Sequence, residues 1–275
     1  MYKKYYSFYN FNFSISTDII EISDEVFSLF SAIISKKKDN ACKWIITKNH
    51  QYEIYKDSIV AFRTSQISYL IENLEWFISI EILKRNSNFL QFHASGVVKN
   101  NKSLLFLGKP GAGKTTLALG FFNKKDVKYL SDEIILYDQE KNYLLPFPRC
   151  FHIDLKTVNL LSNIDFKNLL GKHPDSTGKY RFNPFKINQN YLADKVKPYT
   201  IIFLENKKRK KIITEIGQIE SINLLLEQAI NLKEYGNDGI CTLLNLIKYN
   251  RCYKLNINNI DVSKDTNLLL KKINF

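Results

Sequence analysis

The sequence holds only four cysteines, and they stand too far apart for a metal knuckle or a redox motif. Its four histidines form no HExxH pattern. The most apolar stretch, residues 67–83, is interrupted by three glutamates and falls short of the roughly 18 apolar residues of a membrane helix. The N-terminal residues lack the apolar core of a secretory signal. These absences exclude disulfide scaffolds, zinc fingers and integral membrane proteins, and they predict a cytoplasmic protein.

The composition is globular, with an excess of basic residues. Of the 275 residues 45% are hydrophobic and 24% charged, which suffices for a large core in one domain or two. The formal net charge is +13, and one true basic run occurs, Lys207–Lys211. This run is interpreted as a solvated hairpin tip, with contact to an acidic partner as the alternative. Because no aromatic residues interleave it, the run does not favour nucleic acid as a partner.

The chain changes character near residue 89. Residues 1–64 are rich in aromatic and alternating segments typical of strands, with a short helix predicted from Ser23. Residues 65–85 have apolar side chains at helical spacing. We therefore predict an N-terminal, smaller α+β domain over residues 1–88 and an α/β domain over residues 89–275.

The second domain is predicted to alternate short strands and helices, with a mobile loop rich in glycine and proline over residues 171–184. The predicted strands are 89–99, 103–107, 127–130, 134–137, 143–145 and 251–257, and the predicted helices are 114–122, 221–232, 239–249 and 265–273.

A glycine-rich loop carries the most specific signal. The segment Gly108-Lys-Pro-Gly-Ala-Gly-Lys-Thr115 fits the pattern G-x-x-x-x-G-K-[ST], follows an apolar strand and opens a helix. Such a loop turns backbone N–H groups toward phosphate oxygens at the positive end of a helix dipole. We predict that it binds ATP with Mg²⁺ and that Lys114, solvated or phosphate-bound but not packed, reaches the β- and γ-phosphates. The predicted nucleotide contacts are Gly108, Pro110, Gly111, Ala112, Gly113, Lys114, Thr115 and Thr116.

The loop alone does not define a reaction. A GTPase would carry an NKxD-like base reader, and none is evident in the sequence. A transporter-type ATPase would place its acidic strand end farther along the chain, whereas Asp132 comes only 17 residues after Thr115.

Three elements together give a family resemblance. The segments His93–Val98, Gly108–Thr116 and Tyr129–Glu133 resemble the catalytic core of HPr kinase/phosphorylase, whose fold is similar to that of ATP-dependent phosphoenolpyruvate carboxykinase. The resemblance is specific over about residues 89–150 and favours the branch outside sugar-transport regulation. Some members of that branch phosphorylate serine on ribosomal peptides such as lasso peptides. It implies an α/β fold with a mixed-sheet P-loop core.

The resemblance also implies catalytic roles. Asp132 corresponds to the catalytic aspartate that accepts the proton of the substrate hydroxyl, and His93 to the histidine on the strand before the loop. Glu133 takes the place of a second acidic residue near the metal, which Thr115 would also ligate. These roles agree with physical chemistry, because a hydroxyl is a poor nucleophile until a carboxylate orients it and takes its proton.

The chain departs from the family after Asp132-Glu133. The family's Leu-Glu-x-Arg-Gly-Leu-Gly-like signature is missing, so HPr as acceptor and the reverse phosphorylase reaction are not predicted. Arg149, after two prolines, stands roughly where that region belongs and is a candidate phosphate or substrate contact, with a surface arginine as the alternative. Lys179 and Arg181 in the predicted mobile loop are candidate cations for the transferred phosphate.

The sequence thus predicts a Mg²⁺-ATP-dependent kinase with catalytic residues Asp132, His93, Lys114 and Glu133. Its acceptor is predicted to be a serine-type hydroxyl of a peptide or protein, held by the N-terminal domain through strand addition. A small-metabolite kinase and a nucleotide-binding regulator that hydrolyses ATP without transfer are the alternatives. The particular acceptor, the donor base, the oligomeric state and repeated phosphorylation stay open.

Overall fold

A computed structural model describes residues 1–36, 41–122, 124, 126–147, 149–161, 169–186, 190–205, 212–236, 238–257, 261–273 and 275. The chain is mixed α/β and divides into two compact units. The first unit contains residues 1–86, 148–155 and 165–187, and the second contains residues 87–147, 156–164 and 188–275.

The described chain contains sixteen strands and seven α-helices, with runs of several strands between helices. The strands are β1 Tyr2–Phe8, β2 Phe11–Thr17, β3 Ile34–Ser35, β4 Cys42–Lys48, β5 Tyr52–Lys56, β6 Ile59–Thr64, β7 Leu90–Lys99, β8 Lys102–Leu107, β9 Val127–Ser131, β10 Ile134–Asp138, β11 Tyr143–Leu145, β12 Phe151–Ile153, β13 Tyr180–Phe182, β14 Thr200–Glu205, β15 Ile212–Glu215 and β16 Arg251–Asn256. The helices are α1 Ile20–Ser28, α2 Ile67–Arg85, α3 Lys114–Phe122, α4 Leu155–Leu160, α5 Gln218–Leu226, α6 Asp238–Lys248 and α7 Val262–Ile273.

The first unit is built on a six-stranded sheet in the order β3-β1-β2-β4-β5-β6. Its core is aromatic, since the Tyr6 and Phe13 rings stack at a centroid distance of 4.9 Å and Phe30 meets Phe13 edge to face. Helix α2 packs on β5 and β6, and β6 pairs with β5 alone within this sheet. The predicted β-rich segment with a short helix is confirmed, although α1 begins at Ile20 rather than Ser23.

Two later segments join this first unit. Strands β12 and β13 pair antiparallel, with Phe151 opposite Phe182 and His152 opposite Arg181. Both segments were predicted to lie in the second domain, and residues 171–184 were predicted to form a mobile loop. The structure instead forms β13 within residues 171–184 and places both segments in the first unit. They belong there because their side chains bind residues from the first part of the chain, as Arg181 binds Glu75.

The second unit is built on an eight-stranded mixed sheet with main order β11-β10-β7-β8-β14-β16-β15, in which β9 also pairs with β7. Strands β8, β14 and β16 run parallel, whereas β7 is antiparallel to β8. Helix α3 packs on one face, where the Phe106 and Phe121 rings meet at 5.8 Å. Leu225 of α5 and Leu243 of α6 join the buried cluster on the other face. The mixed α/β class is therefore confirmed.

Most predicted elements of the second unit are present, with shifts at their ends. The predicted helix 221–232 ends at Leu226, because the following backbone leaves the helix and pairs with β7: Ile230 N donates to Gln91 O at 2.7 Å. Helix α4 was not predicted. The predicted basic hairpin tip Lys207–Lys211 lies outside the described residues.

In the part of the chain that the structure describes, no helix combines the length and the apolar character that a membrane crossing requires.

Candidate active site

The glycine-rich loop joins β8 to α3 and has three glycines with positive φ. These angles are +146° at Gly108, +78° at Gly111 and +93° at Gly113, in a region where side chains are disfavoured. At Gly108 a Cβ atom would also lie 2.7 Å from the carbonyl oxygen of Leu204 on β14. Gly111 faces open space. The motif therefore requires glycine for conformation at all three positions and for close packing at Gly108.

Lys114 folds back over the loop that precedes it. Its ammonium donates hydrogen bonds to the carbonyl oxygens of Gly108 at 2.7 Å and Lys109 at 3.3 Å. The residue is only 7% exposed, so in this structure Lys114 packs on the loop instead of being solvated, and its phosphate-bound state stays a prediction. The loop carbonyls hold the cation beside the N-terminus of α3, where positive charge and free N–H groups attract anions.

Asp132 joins three elements of the second unit. It follows β9 directly, is 1% exposed, and its Oδ1 accepts a hydrogen bond from the Thr115 hydroxyl at 2.9 Å. The same Oδ1 accepts a hydrogen bond from the Ser95 hydroxyl on β7 at 2.5 Å. A buried carboxylate thus lies directly at the end of the glycine-rich loop.

Ser95 is the residue of this cluster that sequence reasoning missed. It stands inside the segment His93–Val98, two positions after His93, and was given no role. Because side chains alternate along a strand, the spacing places Ser95 on the same face of β7 as His93. That alternation was the available signal.

Glu133 follows Asp132 in the chain, and His93 lies on β7 two residues before Ser95. Glu133 adopts a left-handed conformation with φ of +66°, which is uncommon for a residue with a side chain. Its carbonyl oxygen accepts a hydrogen bond from Ala94 N at 3.1 Å, so β7 holds the turn. His93 is half-buried on β7 and lies opposite Ile134 in the ladder to β10. The structure therefore brings the predicted residues His93, Glu133 and Asp132 to one end of the sheet.

The oxygen groups at this end suit a magnesium nucleotide. Mg²⁺ prefers hard oxygen ligands and is commonly held by one or two protein oxygens together with substrate phosphates. The Thr115 hydroxyl and the Asp132 carboxylate offer such oxygens, 2.9 Å from each other. No group of three or more His, Cys, Asp or Glu side chains that could hold a metal by itself occurs within the described ranges. Thr116 is turned elsewhere, because its hydroxyl contacts that of Thr157 at 3.1 Å.

A cavity of about 370 Å³ opens on the other side of the loop, beside β14. Predicted loop residues line one wall of it. Its other lining residues were not singled out by the sequence: Phe203, Leu204, Glu205, Leu224, Glu227 and Gln228. They lie about 90 to 120 residues beyond the motif, so no local pattern connects them to it.

The predicted phosphate contacts Arg149 and Arg181 belong to the first unit. There both guanidinium groups bind the carboxylate of Glu75 on α2, Arg149 Nε at 3.0 Å and Arg181 Nε at 2.8 Å. Lys179 contributes backbone contacts, since its N–H donates to Asp175 Oδ1 at 3.0 Å. No sequence pattern could have revealed these pairs, because Glu75 precedes the two arginines by 74 and 106 positions.

His152 completes this ion cluster. Its Nε2 contacts both Glu75 oxygens at 3.1 Å and its Nδ1 contacts Asp175 Oδ2 at 3.0 Å. Burial alone would lower the pKa of His152, but the Glu75 charge and the hydrogen bond of Asp175 raise it to about 9. Burial alone would raise the pKa of Glu75, but the charges of His152 and Arg149 hold it well below its usual range. At neutral pH the cluster is therefore made of ionised, mutually paired groups.

Fold and site together define a mixed α/β chain in which a strand-end aspartate contacts a glycine-rich nucleotide-type loop. The chain matches no protein-family model, and no curated protein matches it. Among solved structures it is similar to the Hpr(Ser) kinase/phosphatase from Coxiella burnetii. The identity is 14% and the TM-score 0.34, with 66% of this chain and 98% of that chain covered. The branch of peptide serine kinases stays a prediction.

Proposed function

We propose that the chain is a Mg²⁺-ATP-dependent kinase that transfers the γ-phosphoryl group to a serine-type hydroxyl of a peptide or protein. One observation carries the proposal: Asp132 Oδ1 lies 2.9 Å from the Thr115 hydroxyl, at the junction of the glycine-rich loop and α3. A carboxylate at this place adjoins the end of the loop where the terminal phosphates of a bound triphosphate contact such motifs.

The residues of the second unit supply the steps of such a transfer. The loop N–H groups and Lys114 would hold the donor phosphates. Lys114 would then exchange its present hydrogen bond to the Gly108 carbonyl for a contact with phosphate oxygens. Asp132 would accept the proton of the acceptor hydroxyl while the oxygen of that hydroxyl forms a bond to the γ-phosphorus. The bond between the γ-phosphorus and the bridging oxygen of the β-phosphate breaks, and ADP leaves. Ser95 would keep the Asp132 carboxylate oriented through its hydrogen bond.

Asp132 has a second role open to it. Bound Mg²⁺ would neutralise charge on the donor phosphates, and in P-loop enzymes a loop Ser/Thr hydroxyl and a strand-end aspartate hold it jointly. Thr115 and Asp132 form such a pair, with Glu133 next in the chain. A base and a metal ligand differ in what their loss does: the first affects transfer alone, and the second also weakens the binding of Mg²⁺.

The first unit supports a peptide acceptor. Strand β6 forms an edge of its sheet, and an edge strand offers unpaired backbone groups to an extended peptide. Serine on a ribosomally made peptide is the acceptor that the family resemblance favours, which would place the chain in peptide maturation.

The test compares binding with transfer in matched variants of the intact chain. Asp132→Asn is expected to lower transfer from ATP by about 10²–10⁴, the usual contribution of a general base, while a non-hydrolysable Mg·ATP analogue still binds. Asp138→Asn is the control, because Asp138 is also a buried aspartate of the second unit but contacts the turn residue Lys141. The control should keep both properties.

The outcomes separate the possible roles. Normal transfer by Asp132→Asn would contradict the proposed base and turn attention to Glu133. A parallel loss of Mg²⁺ affinity and transfer would assign Asp132 to the metal. ATP hydrolysis without any phosphorylated acceptor would favour the regulatory ATPase, and transfer to a free hydroxylated metabolite alone would favour the small-metabolite kinase.

A further inference from the structure

The cavity beside β14 and the cluster around Asp132 flank the glycine-rich loop on opposite sides. Strand β8, which leads into the loop, lies between β7 and β14 in the sheet. Ser95 and Asp132 belong to the β7 side, whereas the cavity lies between the first half of the loop and β14. A nucleotide with its terminal phosphates at Thr115 therefore has a cavity available for its base at the other end of the loop.

Gln228 brings a side-chain amide to this cavity from a backbone position that is held by hydrogen bonds. Its backbone carbonyl accepts a hydrogen bond from His93 N at 2.8 Å, and its N–H donates to Leu225 O at 2.9 Å. The residue lines the cavity and is only 8% exposed. Among the described residues its side-chain amide has no hydrogen-bond partner. The amide is not sealed from solvent, so a ligand that enters the cavity can reach it and complete its hydrogen bonds.

We propose that this cavity binds the adenine base of the donor triphosphate and that the Gln228 amide recognises the base by hydrogen bonds. This inference rests on the proposed kinase function and adds the residue that selects the donor base. A carboxamide presents one donor and one acceptor side by side, which matches the N7 acceptor and the N6 amino donor of adenine in a bidentate pair. The cavity volume of about 370 Å³ falls within the range of small-molecule sites.

The same edge of guanine fits the amide poorly. Guanine presents two acceptors there, N7 and O6, so the amide carbonyl would face a second carbonyl. Glu205 and Glu227 also line the cavity, and a carboxylate accepts hydrogen bonds only. Glu205 is paired with Lys254 at 3.2 Å, so Glu227 is the carboxylate that would favour a base with an amino group at this edge and disfavour phosphate.

The experiment measures calorimetric affinities of the intact chain for three magnesium complexes: a non-hydrolysable ATP analogue, the matching GTP analogue, and inorganic tripolyphosphate. The variant is Gln228→Leu, which keeps the side-chain volume and removes the amide. The control is Gln218→Leu, at the exposed start of α5. Tripolyphosphate has no base, so its affinity reports whether the loop is intact in every variant.

Wild type should bind the ATP analogue at least about tenfold more tightly than the GTP analogue. Gln228→Leu should lower affinity for the ATP analogue by about 5- to 150-fold, the value of a good bidentate pair, with tripolyphosphate binding unchanged. Gln218→Leu should behave as wild type. Equal binding of the two analogues by wild type, or an unchanged ATP affinity in Gln228→Leu, would overturn the adenine pocket alone. Failure of all three compounds to bind wild type would overturn the proposed function and the pocket with it.

Discussion

Replacing Glu75 by glutamine should strongly destabilise the first unit. The Glu75 side chain is 1% exposed and pairs with Arg149, Arg181 and protonated His152. Glutamine keeps the shape but removes the charge, so three cations would remain in a buried cluster with too few anions. Loss of one partner from a buried ion pair costs about 3–5 kcal/mol, and we expect a loss of this size in the free energy of unfolding.

Urea unfolding, followed by a probe within the first unit such as the fluorescence of Trp44, measures this loss. With a urea dependence of about 1–3 kcal/mol per molar, the midpoint should fall by roughly 1–5 M. The matched control is Glu81→Gln on the same helix, whose ion pair with Lys56 is partly exposed. An exposed pair contributes about 0–1 kcal/mol, so the control should lose far less stability.

Equal losses in Glu75→Gln and Glu81→Gln, or a loss below about 1 kcal/mol in Glu75→Gln, would refute this reasoning. Such a result would mean that the cluster does not fasten residues 148–155 and 165–187 to α2. The cluster also makes deletion of residues 1–88 a poor test of acceptor binding. The deletion would remove Glu75 and leave its cationic partners in the remaining chain.

Two further predictions concern pH and the glycine-rich loop. Because the pKa of His152 is raised from 6.5 to about 9 in the folded chain, its stabilising effect is complete below about pH 6.5 and is lost as the pH rises through about 9. Urea unfolding at pH 6, 7.5 and 9 should show this decline, and His152→Gln should flatten it; an equally steep decline in the variant would contradict the assignment. Gly108→Ala should weaken binding of a Mg·ATP analogue more than Gly111→Ala. A Cβ at Gly108 would meet the Leu204 carbonyl oxygen, whereas at Gly111 the only penalty is that of the left-handed conformation, about 1–2 kcal/mol. Calorimetric titration of both variants decides, and equal effects would contradict the packing argument.

Local patterns predicted the elements of the second unit well. Helix α3 has the predicted bounds, and β7, β8 and the hairpin of β10 with β11 differ by two residues or fewer at their ends. These elements are specified by alternation, helical spacing and turn residues in neighbouring sequence. The end of α5 was misjudged because a strand pairing with β7, some 140 residues earlier, competes with the helix.

In the candidate site too, the sequence indicated the residues that are close to one another in the chain and missed those that only the fold brings together. The glycine-rich loop and Asp132 are close in sequence, and their spacing indicated that they act together. Ser95 and Gln228 were missed because their roles depend on which strands lie side by side. Arg149 and Arg181 were singled out as cations, but the carboxylate that binds them sits on a helix far earlier in the chain.

We propose that Asp132 accepts the proton of the serine hydroxyl that receives the γ-phosphoryl group of ATP. The most direct measurement incubates the intact chain with Mg²⁺, γ-³²P-labelled ATP and a library of serine peptides with acidic, neutral and basic flanks, together with free hydroxylated metabolites. The label is then divided among phosphoserine, phosphorylated metabolites and inorganic phosphate. We expect label in phosphoserine, reduced by about 10²–10⁴ in Asp132→Asn. Label found only in metabolites or in inorganic phosphate, or phosphoserine formed at the same rate by Asp132→Asn, would contradict it.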